Sequence, residues 1–341
     1  MMRALQLVDA GKLEIREVRV PQPGPGEVLV KVAGAGLCHS DLHLVHAGVK
    51  PPVPFTIGHE TSGWVESTGP GVGGLEAGLP VIVHGAWGCG HCWFCSIGHE
   101  QQCPVAAASG APGSGLFRDG GLAEYLVVPA ARHLVPLGDL DPCLAAPLDD
   151  AALTPYHVIK RSLPDLLPGE TVVVIGIGGL GHAAIQLLRA LTAVRVVAVD
   201  VSAEKRALAT SLGADEALEG DAAAVREAVG GDGAVLVLDC VGASSTLPIA
   251  AAVVRRMGRI VIVGVGGGSI DLSFLSLPYE ASIANTFWGT AAELRELVAL
   301  ASSGRIALHT ERIKLDEALD TYEQIDRGTF GSGRAVAAPA D

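Results

Sequence analysis

The pattern of hydrophobic and polar residues changes part-way along the 341-residue chain. Up to about residue 150, short apolar runs are interrupted by Gly and Pro in segments such as PQPGPGE and GAPGSG, and helical periodicity is scarce. From about Ala151 to Asn285, Val- and Ile-rich runs such as TVVVIG and RVVAVD alternate with alanine-rich helical stretches. The first pattern predicts a β-rich domain with long loops, and the second predicts a parallel sheet with crossover helices.

The C-terminal segment carries a third pattern. AAELRELVALASSG has the spacing of an amphipathic helix, and GRAVAAP is typical of a closing strand. We expect this segment to return to the first domain and pack on it. Two domains also agree with the chain length, because one hydrophobic core seldom serves more than about 250–300 residues.

The charge of the chain disfavours several classes of partner, and the patterns of its N-terminus and its longest uncharged stretch bear on where the protein is located. Acidic residues outnumber basic ones 37 to 24, giving a net charge of −13, which disfavours binding to nucleic acid or an anionic membrane. The start, MMRALQLVDAGKLEIREV, lacks the basic end and apolar block of a secretory signal and predicts a cytoplasmic protein. The long uncharged stretch from Thr171 to Leu188 contains several glycines and His182, so we interpret it as a buried strand, turn and helix.

A glycine-rich sequence, GIGGLG, follows directly on the strand TVVVI and opens a helix. In this context Gly176 allows a sharp turn, Gly178 lets the backbone approach a pyrophosphate, and Gly181 lets the helix pack closely on the strand. The backbone amides of Gly179 and Leu180, at the positive end of the helix, would bind the phosphates. The sequence therefore predicts a dinucleotide site.

Asp200, at the end of the next strand, bears on which dinucleotide binds. Its carboxylate can accept hydrogen bonds from the ribose hydroxyls and would repel a 2′-phosphate, so NAD is predicted rather than NADP. The alternative is that Asp200 only caps the helix that begins at Ser202. Lys205 is either a cofactor contact or a solvated surface charge, and the sequence does not decide between the two.

Four cysteines lie close together in one Gly-rich loop. Their thiolates can close around one tetrahedral zinc and leave no open position, which predicts a structural site. Two disulfides or four free thiols are poor alternatives in a reducing compartment. We interpret His91 and His99 as bystanders, and Cys143 and Cys240 as small buried residues. The four predicted ligands are Cys89, Cys92, Cys95 and Cys103.

Two other segments, GLCHSDLH and PFTIGHE, carry residues that could form an open metal site: Cys38, His59 and Glu60. One such residue alone is more often a core or surface side chain, and it is their presence together with a nucleotide domain that indicates a catalytic zinc. A catalytic zinc has about three protein ligands and one exchangeable position. Beyond Cys38 and His59, the candidate ligands are Glu60 and the acidic pair Asp149 and Asp150.

These motifs together resemble the zinc-dependent alcohol dehydrogenases of the medium-chain dehydrogenase/reductase superfamily, above all bacterial NAD-dependent secondary-alcohol dehydrogenases. The resemblance covers the whole chain, through CHSD, GHE, the four cysteines, GGLAEY, LTPYH and the glycine sequence in that order. It implies an α/β fold with a GroES-like β-rich catalytic domain over residues 1–153 and 290–341. Residues 154–289 would form a Rossmann domain with a doubly wound parallel sheet, and the active site would lie in the cleft.

The resemblance also implies a ligand set for the catalytic zinc. Cys38, His59 and a later Cys or Asp would hold the metal, with Glu60 alongside as an alternating or outer ligand. Many relatives have Cys at the position of Asp150, and Asp149 falls one residue earlier. We therefore predict that Asp150 is the third ligand, and that Asp149 is a solvated or capping carboxylate.

Further roles around the metal follow from the same resemblance. Asp41 would fix the tautomer of His59, Ser40 would bond the substrate oxygen, and His43 would take up the proton after the nicotinamide ribose. The alternatives are a helix cap at Ser40 and a solvated surface side chain at His43. Three apolar residues match pocket positions and would line a slot beside the metal: Trp87, Leu116 and Trp288.

The predicted function is hydride transfer between a small apolar alcohol, preferably secondary, and NAD. The enzyme would carry two zinc ions per chain, one catalytic and one structural, and would form a homodimer or homotetramer, as its relatives do. One alternative is a zinc polyol or formaldehyde-type dehydrogenase, which would need polar groups around the substrate. A second alternative, from another class, is a non-catalytic NAD-binding homologue, which would lack the open metal site.

Overall fold

The computed structural model of the protein describes residues 1–48, 50 and 54–339. As the interrupted apolar runs predict, the first domain consists mainly of short strands, and its helices are brief. The strands are β1 (Met2–Asp9), β2 (Lys12–Val18), β3 (Val28–Gly36), β4 (Phe55–Thr56), β5 (Glu60–Thr68), β6 (Pro80–Val83), β7 (Tyr125–Val128) and β8 (Leu134–Pro136). The helices are α1 (His39–His46), α2 (Trp93–Ser96), α3 (Pro104–Ala108) and α4 (Pro142–Ala145).

The second domain alternates strands and helices, as the Val- and Ile-rich runs predict. Its elements are α5 (Leu153–Ser162), β9 (Thr171–Ile175), α6 (Gly179–Leu191), β10 (Arg195–Val199), α7 (Ala203–Ser211), β11 (Glu216–Leu218), α8 (Ala222–Val229), β12 (Ala234–Asp239), α9 (Leu247–Val253), β13 (Val254–Ile262) and β14 (Ser282–Asn285). The six strands are parallel and lie in the order β11-β10-β9-β12-β13-β14. The strand order reverses between β9 and β12, where dinucleotides bind in this architecture.

The C-terminal segment returns to the first domain, as expected. It contains α10 (Ala291–Ser302), β15 (Thr310–Lys314), α11 (Ala318–Asp326) and β16 (Arg334–Ala338). β16 pairs antiparallel with β3 through Val336 and Ala337, and β15 pairs parallel with β16. The resulting sheet follows the path β15-β16-β3-β5-β6-β8, with β7 also paired to β3. The domain limits near residues 153 and 290 stay a prediction.

The uncharged stretch from Thr171 to Leu188 folds as β9, the glycine turn and most of α6. Val172, Val173 and Val174 are fully buried, because a parallel sheet covered by helices on both faces has no solvent-exposed side. Among the described residues, no helix is long and apolar enough to cross a membrane.

Candidate active site and structural metal centre

Three separate elements bring the predicted metal ligands together. Cys38 immediately precedes α1. His59 immediately precedes β5, Glu60 is the first residue of that strand, and Asp150 precedes α5. Antiparallel pairing of β3 with β5 places Gly36 opposite Glu60, so the residues that follow β3 lie beside those that begin β5. Ligand atoms from all four residues lie within 4.8 Å of one another. Thiolate, imidazole and carboxylate are the donors that a catalytic zinc takes, so these residues fit that metal.

The Asp150 carboxylate faces the centre of this group. Its Oδ2 lies 3.6 Å from Cys38 Sγ and 3.5 Å from His59 Nε2, while Thr154 Oγ1 donates a hydrogen bond to its Oδ1 at 2.8 Å. Burial raises the pKa of Asp150, but the hydrogen bond and charge of His59 and the charge of Arg334 lower it to about 2. Asp150 is therefore held ionised, which is the form that binds a metal.

Glu60 is fully buried behind the other three residues. Its Oε1 accepts a hydrogen bond from Ala151 N at 3.1 Å and forms an ion pair with Arg334 Nη2 at 2.9 Å. Its Oε2 has no hydrogen-bond partner among the described residues, and burial is the main cause that raises the pKa of Glu60 to about 7. A buried oxygen without a partner is costly, so a cation beside Oε2 would satisfy it. This geometry fits an outer or alternating ligand.

Asp149 does not have the surroundings that we expected from the sequence. The prediction of a solvated or capping carboxylate is wrong, because Asp149 is fully buried and its Oδ2 accepts a hydrogen bond from Gly85 N at 2.9 Å. Its backbone carbonyl accepts a hydrogen bond from Trp288 Nε1 at 2.9 Å. Consecutive side chains at this turn diverge, so Asp150 belongs to the ligand group and Asp149 lies outside it.

Residues of α1 surround the ligand group on its other side. Asp41 Oδ1 lies 3.0 Å from His59 Nδ1, which leaves His59 Nε2 toward the ligands. Ser40 Oγ donates to Cys38 Sγ at 3.1 Å and lies 3.4 Å from His59 Nε2. The N-cap of α1 is Cys38, so the alternative of a helix cap at Ser40 does not hold. His43 is half-buried, and burial lowers its pKa.

A cavity of about 420 Å³ lies between the two domains and joins the metal group to the glycine loop. On one side it is lined by Cys38, Ser40, His43, His59 and Asp150. On the other side it is lined by most of the predicted cofactor residues: Gly176, Gly178, Gly179, Leu180, Asp200 and Lys205. An alcohol and a dinucleotide that share this cavity would therefore meet beside the metal ligands.

The glycine loop has the geometry that its sequence predicts. Gly176 has φ +85°, in the left-handed region that glycine adopts without strain. A Cβ on Gly181 would lie 2.0 Å from the carbonyl oxygen of Gly176, whereas a Cβ on Gly178 would meet nothing within 4 Å. Gly181 is thus required by packing inside the fold, and Gly178 leaves open space above the helix N-terminus.

The Asp200 carboxylate connects this loop to the end of β10. Its Oδ2 accepts a hydrogen bond from Ile177 N at 2.7 Å, and its Oδ1 accepts one from Ser202 N at 2.8 Å. Helix α7 is capped by Ser202, whose Oγ accepts from Lys205 N at 3.4 Å. Asp200 therefore does not cap α7 itself, and it lines the cavity beside Lys205.

The four loop cysteines form a second group, whose sulfur atoms all lie within 4.8 Å of one another. Cys92 Sγ lies 3.5 Å from Cys95 Sγ and 3.7 Å from Cys103 Sγ. Burial raises the pKa of Cys103, but backbone N–H groups of Cys89 and Ala106 that point at its sulfur lower it to about 6. A set of four thiolates fits one closed, tetrahedral zinc.

Family models match both halves of the chain. Residues 24–139 match the alcohol dehydrogenase GroES-like domain, and residues 179–303 match the zinc-binding dehydrogenase family. An NAD-dependent alcohol dehydrogenase from Sulfurisphaera tokodaii is 33% identical, over 99% of this chain and 100% of the relative. The chain belongs to the zinc-dependent alcohol dehydrogenases.

Two further comparisons describe the range of this alcohol dehydrogenase family. The crystal structure of the alcohol dehydrogenase from Aeropyrum pernix superimposes with a TM-score of 0.91 at 37% identity, over 99% of this chain and 100% of that one. A D-arabinose 1-dehydrogenase (NADP(+)) from Saccharolobus solfataricus is 32% identical, over 96% of this chain and 94% of the relative.

The comparisons confirm the predicted fold class, a GroES-like domain with a Rossmann-type domain. This alcohol dehydrogenase is an NAD-dependent oxidoreductase that interconverts alcohols and carbonyl compounds. Its cofactors are NAD and zinc, and the two residue groups fit one catalytic and one structural ion. The alternative of a non-catalytic homologue is thereby set aside.

One predicted pocket residue of this alcohol dehydrogenase lies elsewhere. Leu116 and Trp288 line the 420 Å³ cavity, but Trp87 borders a separate cavity of about 210 Å³ beside Arg118. The indole of Trp87 is buried, and its Nε1 donates to His84 O at 2.9 Å. The prediction that Trp87 lines the substrate slot is therefore wrong.

Several residues that face the site or support it were not predicted from the sequence, and four of them bear on its chemistry. Thr154, Phe287 and Arg334 line the cavity, and Tyr322 donates a hydrogen bond to Asp41. Arg334 left a signal in the sequence, because it is an ionised residue at the start of an otherwise apolar strand, and such residues are rarely buried without a charged partner. Thr154 also left a signal, because it lies four positions after Asp150, and residues with that spacing are neighbours on one helical turn.

Proposed function

We propose that this alcohol dehydrogenase acts on small apolar alcohols and their carbonyl partners, with a preference for secondary alcohols, and that it discriminates against NADP. The observation that carries the proposal is the convergence of Cys38, His59 and Asp150 on a cavity that also contains the glycine loop. Three ligands leave one coordination position of a zinc free for the substrate oxygen.

The proposal gives each residue near the metal a role. When bound, zinc lowers the pKa of the alcohol hydroxyl and NAD accepts the hydride. Ser40 Oγ lies 3.1 Å from Cys38 Sγ and 3.4 Å from His59 Nε2. It would accept a hydrogen bond from the substrate hydroxyl and release its own proton as it takes up the proton of the alcohol. His43 lines the same cavity, and its lowered pKa keeps the imidazole neutral and able to take up that proton.

The walls of the cavity beside the metal support the preference for secondary alcohols. Leu116, Phe287 and Trp288 contribute apolar side chains to its lining. The Trp288 ring is fixed, because its Nε1 is bonded to the Asp149 carbonyl at 2.9 Å and its ring packs edge-on against His59 at 5.6 Å. Both carbon substituents of a secondary alcohol would then contact apolar surface.

This proposal predicts a higher kcat/KM for 2-butanol than for ethanol. Each buried CH2 group contributes about 0.8 kcal/mol, so the two additional carbons should raise kcat/KM about tenfold. The measurement is NADH formation at 340 nm with each alcohol over a range of concentrations. A higher kcat/KM for ethanol would contradict the preference while leaving the alcohol dehydrogenase activity in place.

Sugars are the second candidate substrate class, because a D-arabinose dehydrogenase is among the similar proteins. A sugar needs hydrogen-bond partners for several hydroxyl groups, which Leu116, Phe287 and Trp288 do not supply. The same assay with D-arabinose in place of 2-butanol separates the two classes. Efficient turnover of D-arabinose would favour the polyol alternative.

Asp200→Asn is predicted to relax the choice between NAD and NADP. The amide keeps an oxygen that accepts from Ile177 N or Ser202 N but removes the charge that would repel a 2′-phosphate. We expect the ratio of kcat/KM with NADP to kcat/KM with NAD to rise about tenfold or more, because hydrogen bonds to charged groups contribute about 1.5–3 kcal/mol.

Glu204→Gln provides the matched control for Asp200→Asn. Glu204 lies in the first turn of α7, so the change removes the same charge from the same region while leaving Asp200 in place. This control should leave the cofactor ratio unchanged. Equal shifts in the two variants would indicate a general effect of net charge and would contradict the specific role of Asp200.

We also propose that the enzyme forms a homo-oligomer and is located in the cytoplasm. β14 is an edge strand of the parallel sheet, and the loop before it exposes Phe274 and Leu275. An open edge beside an exposed apolar loop is a surface that a second copy of the chain could cover. Five of the seven cysteines lie in the two candidate zinc groups, which favours a reducing compartment where thiolates remain available to the metal.

A further inference from the structure

The Asp41 carboxylate lies behind the proposed zinc ligands and is held by three donors. Its side chain is fully buried. Oδ1 lies 3.0 Å from Nδ1 of His59, and Oδ2 accepts a hydrogen bond from Cys38 N at 3.1 Å. Oδ2 also accepts a hydrogen bond from the hydroxyl of Tyr322 at 2.6 Å. Two of the three donors thus belong to proposed zinc ligands, and the third does not.

Tyr322 comes from a distant part of the chain. It lies on α11, 281 positions from Asp41, and α11 packs on α1. Tyr322 is only 2% exposed and is not among the described residues that line the 420 Å³ cavity. Its hydroxyl is therefore placed to act on Asp41 and not on the substrate or the nicotinamide.

The hydrogen bond from Tyr322 restricts the orientation of the Asp41 carboxylate. Its length of 2.6 Å is typical of a strong O–H···O⁻ bond to a charged acceptor. Two donors on Oδ2 fix the carboxylate plane, so that Oδ1 faces His59 Nδ1. A proton on Nδ1 leaves Nε2 with a free lone pair for the metal.

We infer that Tyr322 is a positioning residue for the catalytic zinc, which it stabilises by fixing the Asp41 carboxylate that orients His59. The inference rests on the proposed role of His59 as a zinc ligand. It adds the C-terminal helix α11 to the elements that determine how firmly the metal is held. Loss of the hydroxyl would leave a buried carboxylate with one donor fewer.

The test is Tyr322→Phe, which removes only the hydroxyl, in the zinc-loaded protein. With a chelator in excess, we expect release of the more labile zinc to become about tenfold faster and kcat/KM to fall about tenfold, the lower end of the range for groups that support a metal ligand. The zinc of the four cysteines should be released at the wild-type rate.

Tyr156→Phe is the matched control. The Tyr156 hydroxyl also donates to a carboxylate at 2.6 Å, that of Glu296, but this contact joins α5 to α10 and involves neither metal group. We expect both zinc ions of the Tyr156→Phe variant to be released at the wild-type rates. Faster release of the labile zinc in both variants would overturn the inference.

A double-mutant cycle separates positioning from a purely structural role. If Tyr322 acts through Asp41, then Tyr322→Phe should have no further effect on zinc release in an Asp41→Ala background. Additive effects, faster release of both zinc ions, or release at the wild-type rate from Tyr322→Phe would each overturn the inference. A His59→Ala variant that keeps both zinc ions would overturn the proposed function instead, so the two failures are distinguishable.

Discussion

Asp150→Ala is expected to abolish turnover and to leave one zinc per chain where the wild type holds two. Asp150 Oδ2 lies within 3.6 Å of both Cys38 Sγ and His59 Nε2, so its removal takes away one of the three proposed ligands. Zinc lowers the pKa of a water or alcohol bound to it by several units, and we expect the loss of the metal to reduce kcat by about three orders of magnitude or more. Metal analysis and the alcohol assay measure the two effects.

Asp149→Asn is the control for this prediction. Gly85 N donates a hydrogen bond to Asp149 Oδ2 at 2.9 Å, and the Asn side chain keeps an oxygen that can accept it. Position 149 lies outside the ligand group. Both zinc ions and most of the activity should remain. Asp149→Ala should also keep two zinc ions, but the free energy of unfolding should fall by about 1–3 kcal/mol, because Gly85 N is left buried without a partner.

Two zinc ions and most of the wild-type activity in Asp150→Ala would contradict the assignment of the third ligand. Glu60 would then become the permanent ligand, since its Oε2 is buried without a partner among the described residues. The analysis of Asp150→Ala should also show that the remaining zinc withstands a chelator as well as the four-cysteine zinc of the wild type does. A remaining zinc that is labile would indicate that the wrong site had been emptied.

Gly181→Ala is expected to destabilise the second domain and to prevent NAD binding. The added Cβ would lie 2.0 Å from the carbonyl oxygen of Gly176, which is backbone and cannot move without displacing α6 from β9. Overpacking of this kind costs about 1–3 kcal/mol and occasionally more, and a contact with rigid backbone belongs at the upper end. Thermal unfolding and titration with NAD measure the two consequences.

Gly178→Ala distinguishes an effect on the stability of the fold from an effect on NAD binding. A Cβ at Gly178 meets nothing within 4 Å, so we expect a change in the free energy of unfolding of no more than about 1 kcal/mol. NAD should nevertheless bind more weakly, because the methyl group stands where the pyrophosphate approaches the backbone. If Gly178→Ala bound NAD with wild-type affinity, the pyrophosphate would not lie against the backbone of Gly178. If Gly181→Ala were as stable as the wild type, the close packing of α6 on the glycine turn would not require glycine at this position.

Features that depend on neighbours in the chain were predicted from the sequence. The spacing of Cys89, Cys92, Cys95 and Cys103 places four thiols on one loop whatever the rest of the chain does. A strand, three spaced glycines and a helix form a unit whose turn at Gly176 and close contact at Gly181 are local. The Val- and Ile-rich runs likewise predicted the strands of the parallel sheet, since burial on both faces requires apolar residues throughout.

The sequence by itself thus determined the α/β class, the four-cysteine loop and the dinucleotide turn, because short-range spacing and periodicity encode them. The ligands of the catalytic zinc were predicted from the resemblance to a known family instead, since Cys38 and Asp150 are 112 positions apart. Only the tertiary structure decided that Asp149 is buried against Gly85, that Trp87 lies outside the cleft, and that Tyr322 supports Asp41 from 281 positions away. These contacts join segments that are far apart in the chain, and a side chain's burial and partner depend on how sheets and helices pack. No local pattern carries that information.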